Sequence, residues 1–114
     1  MLFYKGFIIN GSANTEVFDQ VGLSSTEVEK KRLKEIWINV DTYQGNVISG
    51  YLEREKIIDE IKDYHFSDTS ATSTKYKKIE VNLDIPVGQK FQVALKCGGT
   101  ANNVYGVYVY EILK

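Results

Sequence analysis

Apolar and polar residues alternate most clearly in the C-terminal third of the chain. Between Ile79 and Ile85 every second residue is apolar, and the residues between them are polar or charged. A period of two is typical of a strand that buries one face. Pro86 and Gly88 follow with the chemistry of a tight turn, and the alternation then resumes. Its inward-facing members are predicted to be Phe91, Val93, Leu95 and Cys97.

Two other segments predict longer strands. Residues 34–43 alternate again, and the run from Val104 to Leu113 is β-branched and aromatic almost throughout. Such a run is typical of a central strand covered on both faces, or of a strand whose outer face meets a partner. In residues 34–43 one predicted face carries Ile36, Ile38, Val40 and Thr42, and the other carries Trp37, Asn39, Asp41 and Tyr43. A turn at Gly45 follows, and a further strand begins at Val47.

The N-terminal third is less regular. Residues 2–9 and 15–21 predict two strands, whereas residues 22–34 are mostly polar. In that polar stretch Ser24 and Glu27 match a capping box, which would allow one helical turn.

Residues 52–65 fit two structures. They are rich in helix formers with apolar side chains at helical spacing. They also fit a hairpin that turns at Arg54–Glu55. The strands on either side favour the hairpin, because a helix would interrupt a run of sheet.

These segments amount to about eight short strands and at most one helix. The 114 residues are close to the commonest size of one domain, and no repeat or linker divides them. We therefore predict a single domain over residues 1–114, an all-β, antiparallel two-sheet β-sandwich.

Composition narrows the function by exclusion. Lys and Arg number 14 against 15 Asp and Glu, and this balance argues against strong electrostatic binding of nucleic acid. No apolar run approaches the roughly 18 residues of a membrane helix, so no membrane insertion is expected. One His, one Cys and one Pro leave little material for a catalytic constellation. We expect neither an enzyme nor a bound cofactor.

Possible metal ligands are densest at Asp59, Glu60, Asp63 and His65. A helix would bring Asp59 and Asp63 onto one face, where their oxygens suit a hard cation, but a hairpin would separate them. A solvated acidic edge is favoured, and no metal site is predicted. Cys97 is expected to act as a small buried apolar side chain.

The aromatic residues carry the strongest functional signal. The chain has eight Tyr, five Phe and one Trp, and three of the tyrosines fall on the last predicted strand. Tyrosine combines a large apolar ring with a polar tip and is enriched at interfaces. The candidate interface residues are Tyr105, Tyr108, Tyr110, Trp37 and Tyr43, with Tyr108 and Tyr110 on one face of their strand and Tyr105 on the other. A sandwich core with a tyrosine rim is the plain structural alternative.

The order of segments is KRLKEIWINVD, a glycine turn, GYLEREKIIDEI, a Ser/Thr loop, IEVNLDIPVGQKFQVAL and a closing VYGVYVYEI. Over most of the chain this pattern resembles the small single-jelly-roll structural proteins of icosahedral viruses, including those of archaea. The resemblance implies an eight-stranded jelly roll that serves as a capsid or vertex subunit without a cofactor. Its partners would be copies of itself and other virion structural proteins, and its location would be the virion.

The residues support self-association independently of the resemblance. A small sandwich with mixed charge and a tyrosine-rich strand suits symmetric packing, in which neighbours cover the sheet edges. The alternative is a soluble carbohydrate-binding or receptor-attachment module. That module would expose an aromatic pair, such as Trp37 with Tyr43, to a glycan.

Overall fold

Nine β-strands make up the fold over the described residues. The structure, a computed structural model, describes residues 1–40, 45–62 and 77–113. The strands are β1 (Leu2–Asn10), β2 (Glu16–Phe18), β3 (Leu23–Ser24), β4 (Lys30–Val40), β5 (Val47–Leu52), β6 (Glu55–Lys62), β7 (Lys77–Ile85), β8 (Lys90–Lys96) and β9 (Asn103–Leu113). Within these residues, no helix is long and apolar enough to cross a membrane. The all-β prediction is confirmed.

The strands form two antiparallel sheets. The front sheet has the order β1-β9-β4-β7, and the back sheet has the order β2-β8-β5-β6, with β3 also paired to β8. When β2 and β3 are counted as one broken strand, the first strand pairs with the eighth and the second with the seventh. The third then pairs with the sixth, and the fourth with the fifth. This nested pairing is the connectivity of a jelly roll, so the predicted sandwich has the predicted topology.

Each sheet buries one face against the other. The inward residues predicted for β8 are confirmed, because Phe91, Val93, Leu95 and the following Cys97 are all buried. β9 is central in the front sheet, between β1 and β4, as its composition predicts. In β4 a bulge at Lys34 shifts the register, so that the core-facing residues run from Leu33 directly to Ile36 and Ile38.

The hairpin interpretation of residues 52–65 is correct for the described part, and the helix is wrong. β5 pairs antiparallel with β6, and Leu52 lies opposite Glu55. The turn falls one residue earlier than predicted, at Glu53 and Arg54. Glu53 takes the left-handed conformation with φ of 55°, and its N–H donates to the carbonyl of Lys90 at 3.0 Å. This hydrogen bond joins the hairpin turn to β8. Its acceptor, Lys90, lies outside residues 52–65, so the pattern of those residues cannot predict it.

The helical turn allowed by the capping box does not form. Ser24 lies in β3, next to the buried Leu23, and the chain there stays extended. The turn before β4 is closed by Thr26 instead. Its Oγ1 accepts the N–H of Glu29 at 3.0 Å, and its own N–H donates to the carbonyl of Glu29 at 2.9 Å.

Candidate functional site

The outer face of the front sheet carries a surface of apolar and aromatic side chains. Strand register places Ile8 of β1 beside Tyr105 of β9, and Trp37 of β4 beside Val107 of β9. These residues alternate with core-facing neighbours, so they lie on the side away from the back sheet. We call this surface the outer patch, and it comprises Leu2, Tyr4, Ile8, Trp37, Tyr105 and Val107.

Trp37 is held in one orientation on the β4 side of the outer patch. Its indole Nε1–H donates to Glu35 Oε1 at 2.8 Å. The ring centroid of Tyr4 lies 5.7 Å from that of Trp37, and Lys78 Nζ lies 5.3 Å from the Trp37 centroid. An ammonium group at this distance is attracted by the negative face of the indole ring. The ring of Trp37 is therefore covered in part by its own neighbours.

A charged group closes one end of the same face. Arg32 forms hydrogen-bonded ion pairs with Asp84 of β7 and, at 3.2 Å, with Glu111 of β9. The hydrogen bond from Arg32 lowers the pKa of Asp84 below its usual value. Because the three side chains are solvent-accessible, the group contributes little to stability. Its effect on the surface is to place one positive and two negative side chains next to each other at this end of the outer face.

The most exposed members of the outer patch lie on β1, at the edge of the sheet. Leu2, Tyr4 and Ile8 are 45%, 58% and 60% exposed. Among the described residues, β1 pairs with β9 alone, so its second backbone edge has no strand beside it. Contiguous exposed apolar groups of this kind mark interaction surfaces.

A cavity of about 600 Å³ lies at the middle of β1. It forms there because Gly6 has no side chain, and the nearest atom to a Cβ built on Gly6 is the carbonyl oxygen of Gly106, 3.8 Å away. Asp19 and Val21 form the wall beyond the strand edge, and Tyr105 and Val107 form the wall on the outer face. The cavity therefore lies against residues 5–8, in the middle of the unpaired edge of β1.

The structure separates the five predicted interface residues. Trp37 and Tyr105 lie together on the outer face, as described above. Tyr110 lies at the rim of the core, where its ring stacks on Phe3 with centroids 5.6 Å apart. Tyr108 is completely buried and offers no surface to a partner, so that its assignment to an interface is wrong. Tyr43 lies outside the described residues.

Tyr108 instead connects the two sheets. Its hydroxyl donates to Asp19 Oδ2 at 2.8 Å and accepts the N–H of Val93 at 3.1 Å. Asp19 lies where the chain bulges out between β2 and β3, and its Oδ2 also accepts the N–H of Gly22 at 3.0 Å. Burial, and after it the nearby charge of Asp19, raises the pKa of Tyr108 far above its usual value.

Sequence reasoning missed Tyr4 and Ile8, the two most exposed members of the outer patch. The signal was present in residues 2–9, because apolar residues occupy both faces of that predicted strand. Phe7 and Ile9 face the core, while Tyr4 and Ile8 point the other way. A strand at a sheet edge with apolar side chains on both faces is a candidate for contact with a partner.

The remaining candidate groups have ordinary structural roles. Asp59 and Glu60 lie on β6, where Lys56 Nζ is 3.5 Å and 3.6 Å from their carboxylate oxygens. Within the described ranges no cluster of three or more potential metal ligands occurs, and Asp63 and His65 lie outside those ranges. Cys97 is buried, in agreement with its predicted apolar role.

The described residues define a jelly-roll β-sandwich with an apolar face on one sheet. No protein-family model matches the chain, and no curated protein sequence matches it. A solved crystal structure of FLHE is similar, with a TM-score of 0.51 and 8% sequence identity over 96% of this chain and 97% of FLHE. At this identity the likeness is one of fold alone.

Proposed function

We propose that this protein is a non-enzymatic structural subunit that assembles with copies of itself through sheet edges and tyrosine-rich surfaces, as a capsid or vertex protein of a virus particle does. The observation that carries the proposal is the outer patch. Its proposed partners are further copies of this chain and other virion structural proteins, and its proposed location is the virion.

The chemistry of the outer patch favours protein contact. Burial of apolar and aromatic surface is the main favourable term in subunit association, and aromatic residues are enriched in the buried centres of interfaces. The ion pairs of Arg32 with Asp84 and Glu111 border this surface. A neighbouring subunit with a complementary charge pattern would be oriented by them.

The viral part of the proposal rests on the resemblance of the segment order to the single-jelly-roll structural proteins of viruses. Jelly rolls occur in viral capsids and also in lectins, so the fold alone does not choose between a structural subunit and a glycan-binding module. The aromatic geometry favours the subunit. A sugar stacks on an open ring face, whereas Tyr4 and Lys78 pack against Trp37.

A test of the proposal compares the wild-type chain with Tyr105→Lys in size-exclusion chromatography with light scattering. We expect the wild-type mass to rise from 13.0 kDa to multiples of it with increasing concentration. Tyr105→Lys should shift this rise to higher concentration, because a lysine in the outer patch must be desolvated on contact. Val28→Lys is the matched control, since Val28 is 89% exposed in the turn before β4.

Electron microscopy of the assembled fraction then tests the viral role, for which we expect closed rings or shells. A wild-type chain that stays at 13.0 kDa at every concentration would contradict self-assembly. A monomer that binds defined oligosaccharides on a glycan array would favour the carbohydrate-binding module instead.

A further inference from the structure

The four outer strands of the two sheets differ in how well their edges are protected against pairing. β7 carries Lys77, Lys78, Glu80 and Asp84 along its length. β6 is also highly charged, and Glu60 within it takes a left-handed conformation with φ of 45°. β2 and β3 are only three and two residues long. Charges, irregular backbone and short length are the usual devices that prevent strands from pairing at a sheet edge.

β1 has none of these protections. It is nine residues long and extended, and Lys5 is its one charged residue. Lys5 points to the inner side of the sheet, where its Nζ donates to the carbonyl of Gly22 at 2.8 Å. Its charge is thus held away from the outer face. The edge that remains is apolar and continuous, with a row of backbone donors and acceptors.

We propose that β1 pairs antiparallel with β1 of a second copy, across a two-fold axis that passes beside Gly6. The inference rests on the proposed self-assembly and specifies its first contact. The four strands of each front sheet would then form one continuous sheet of eight strands. A contact in which both copies use the same strand is the isologous arrangement of a two-fold dimer.

The sequence of β1 is complementary to itself about Gly6. Gly6 is the middle residue of Leu2–Asn10, so an axis at Gly6 lets all nine residues pair. In this register Tyr4 lies opposite Ile8 of the partner subunit, and this pairing occurs twice. An aromatic residue opposite a β-branched residue is a favourable cross-strand pair. The two most exposed apolar side chains of β1 would therefore bury each other.

Neighbouring registers are less favourable. In any allowed register, outward-facing residues of one β1 must lie opposite outward-facing residues of the other. The two-fold axis must therefore pass beside a residue, and the alternatives nearest to Gly6 are Lys5 and Phe7. An axis at Lys5 would place the two Lys5 side chains opposite each other, and like charges in that position are destabilising. An axis at Phe7 would leave Leu2 and Phe3 unpaired and place Tyr4 opposite a polar Asn10. The cavity is lined by residues 5–8 of β1, which include the proposed axis at Gly6.

The register can be tested with complementary charges at positions 4 and 8. Tyr4→Lys and Ile8→Glu should each weaken the dimer about tenfold or more, because each places charges against apolar side chains. An equimolar mixture of the two variants should regain the dimer mass, since the lysine of one copy then faces the glutamate of the other. The double variant should regain it as well. Val28→Lys serves again as the exposed control.

Light scattering and circular dichroism give the readouts. Unchanged spectra establish that each variant is folded, and a mass of twice 13.0 kDa identifies the dimer. If wild type associates and both single variants associate equally well, the β1 contact is wrong and self-assembly stands. If the mixture and the double variant both stay monomeric, the register about Gly6 is wrong. A wild-type chain that never associates contradicts the contact and the proposed function together.

Discussion

The Tyr108 hydroxyl illustrates how one polar atom can fix the relative position of two sheets. It donates to Asp19 and accepts from the backbone of Val93, so it links β9 of the front sheet to β8 and to the bulge between β2 and β3. All of these groups are buried, and each would be costly to leave without a partner. Tyr108, which shares a strand face with Tyr110, therefore has a structural role in the core.

Removal of this hydroxyl should destabilise the fold. We expect Tyr108→Phe to lower the free energy of unfolding by about 1 to 3 kcal/mol, because the N–H of Val93 loses its acceptor and Asp19 loses a donor. Urea unfolding followed by circular dichroism measures the change. Tyr110→Phe is the matched control, and it should stay within about 0.5 kcal/mol of wild type. Equal effects of the two variants would contradict the structural role of Tyr108.

The same two variants predict how stability depends on pH. The pKa of Tyr108 is raised in the folded state, first by burial and then by the charge of Asp19, so the folded state favours the neutral phenol. The unfolded chain ionises near its ordinary value of about 10. Stability from Tyr108 is therefore complete below about pH 10 and is lost as the pH rises further. Above that pH, the free energy of unfolding of Tyr108→Phe should fall less steeply than that of Tyr110→Phe, because only the second variant keeps the buried Tyr108 phenol.

In the front sheet, Gly106 of β9 has no space for a side chain, whereas Gly6 of the neighbouring β1 has. A Cβ added to Gly106 of β9 would collide with the ring of Phe7 and lie 2.6 Å from the carbonyl oxygen of Trp37. Gly106 thus lets the Phe7 ring lie across β9, where it stacks on Tyr108 with centroids 4.6 Å apart. A Cβ added to Gly6 of β1 would make only an ordinary van der Waals contact, 3.8 Å from the carbonyl oxygen of Gly106.

These glycines make a matched pair of substitutions. Gly106→Ala should destabilise the fold by about 1 to 3 kcal/mol, because Phe7 must shift out of its packed position. Gly6→Ala should be neutral or slightly stabilising, since alanine is less flexible than glycine in the unfolded chain. Thermal unfolding of both variants checks the prediction. Equal melting temperatures would show that the close approach of Phe7 to β9 is not required.

For the whole molecule, assembly and folding should be coupled. Any contact made by folded copies and not by unfolded chains raises the apparent stability by mass action. We therefore expect the melting temperature of the wild-type chain to rise with protein concentration, as measured by differential scanning fluorimetry. Tyr4→Lys should show a smaller rise, whereas Val28→Lys should match wild type. A melting temperature independent of concentration would argue against association of the folded state.

Local patterns predict much of this fold correctly. The alternation in residues 79–85 and 91–97 specifies strands and their buried faces, because the side-chain direction in a strand depends only on its own backbone. The turn chemistry of Pro86 and Gly88 links them. The nested order of the strands is that of a jelly roll, in line with the predicted two-sheet sandwich. The capping box at Ser24 failed because burial of Leu23 against the core outweighs a local signal.

The candidate site could be predicted only in part. The sequence places Trp37 and Tyr105 on the outer face, because each is an aromatic residue on the outward face of a recognisable strand. Tyr108 and Tyr110 have the same residue type and face the same side of β9, yet one is in the core and the other at its rim. The difference in burial between Tyr108 and Tyr110 depends on which residues of the back sheet pack against each ring.

The amino-acid pattern of this chain is sufficient for its strands, its buried faces and its all-β class, because those follow from short-range periodicity. The unpaired edge of β1, and with it the exposure of Tyr4 and Ile8, follows from the pairing of the first strand with the last. That pairing joins residues about a hundred positions apart. It depends on how the two sheets close around a shared core. The apolar residues on both faces of residues 2–10 mark this strand as a candidate for contact, but they do not show which strand it pairs with or that its other edge is unpaired.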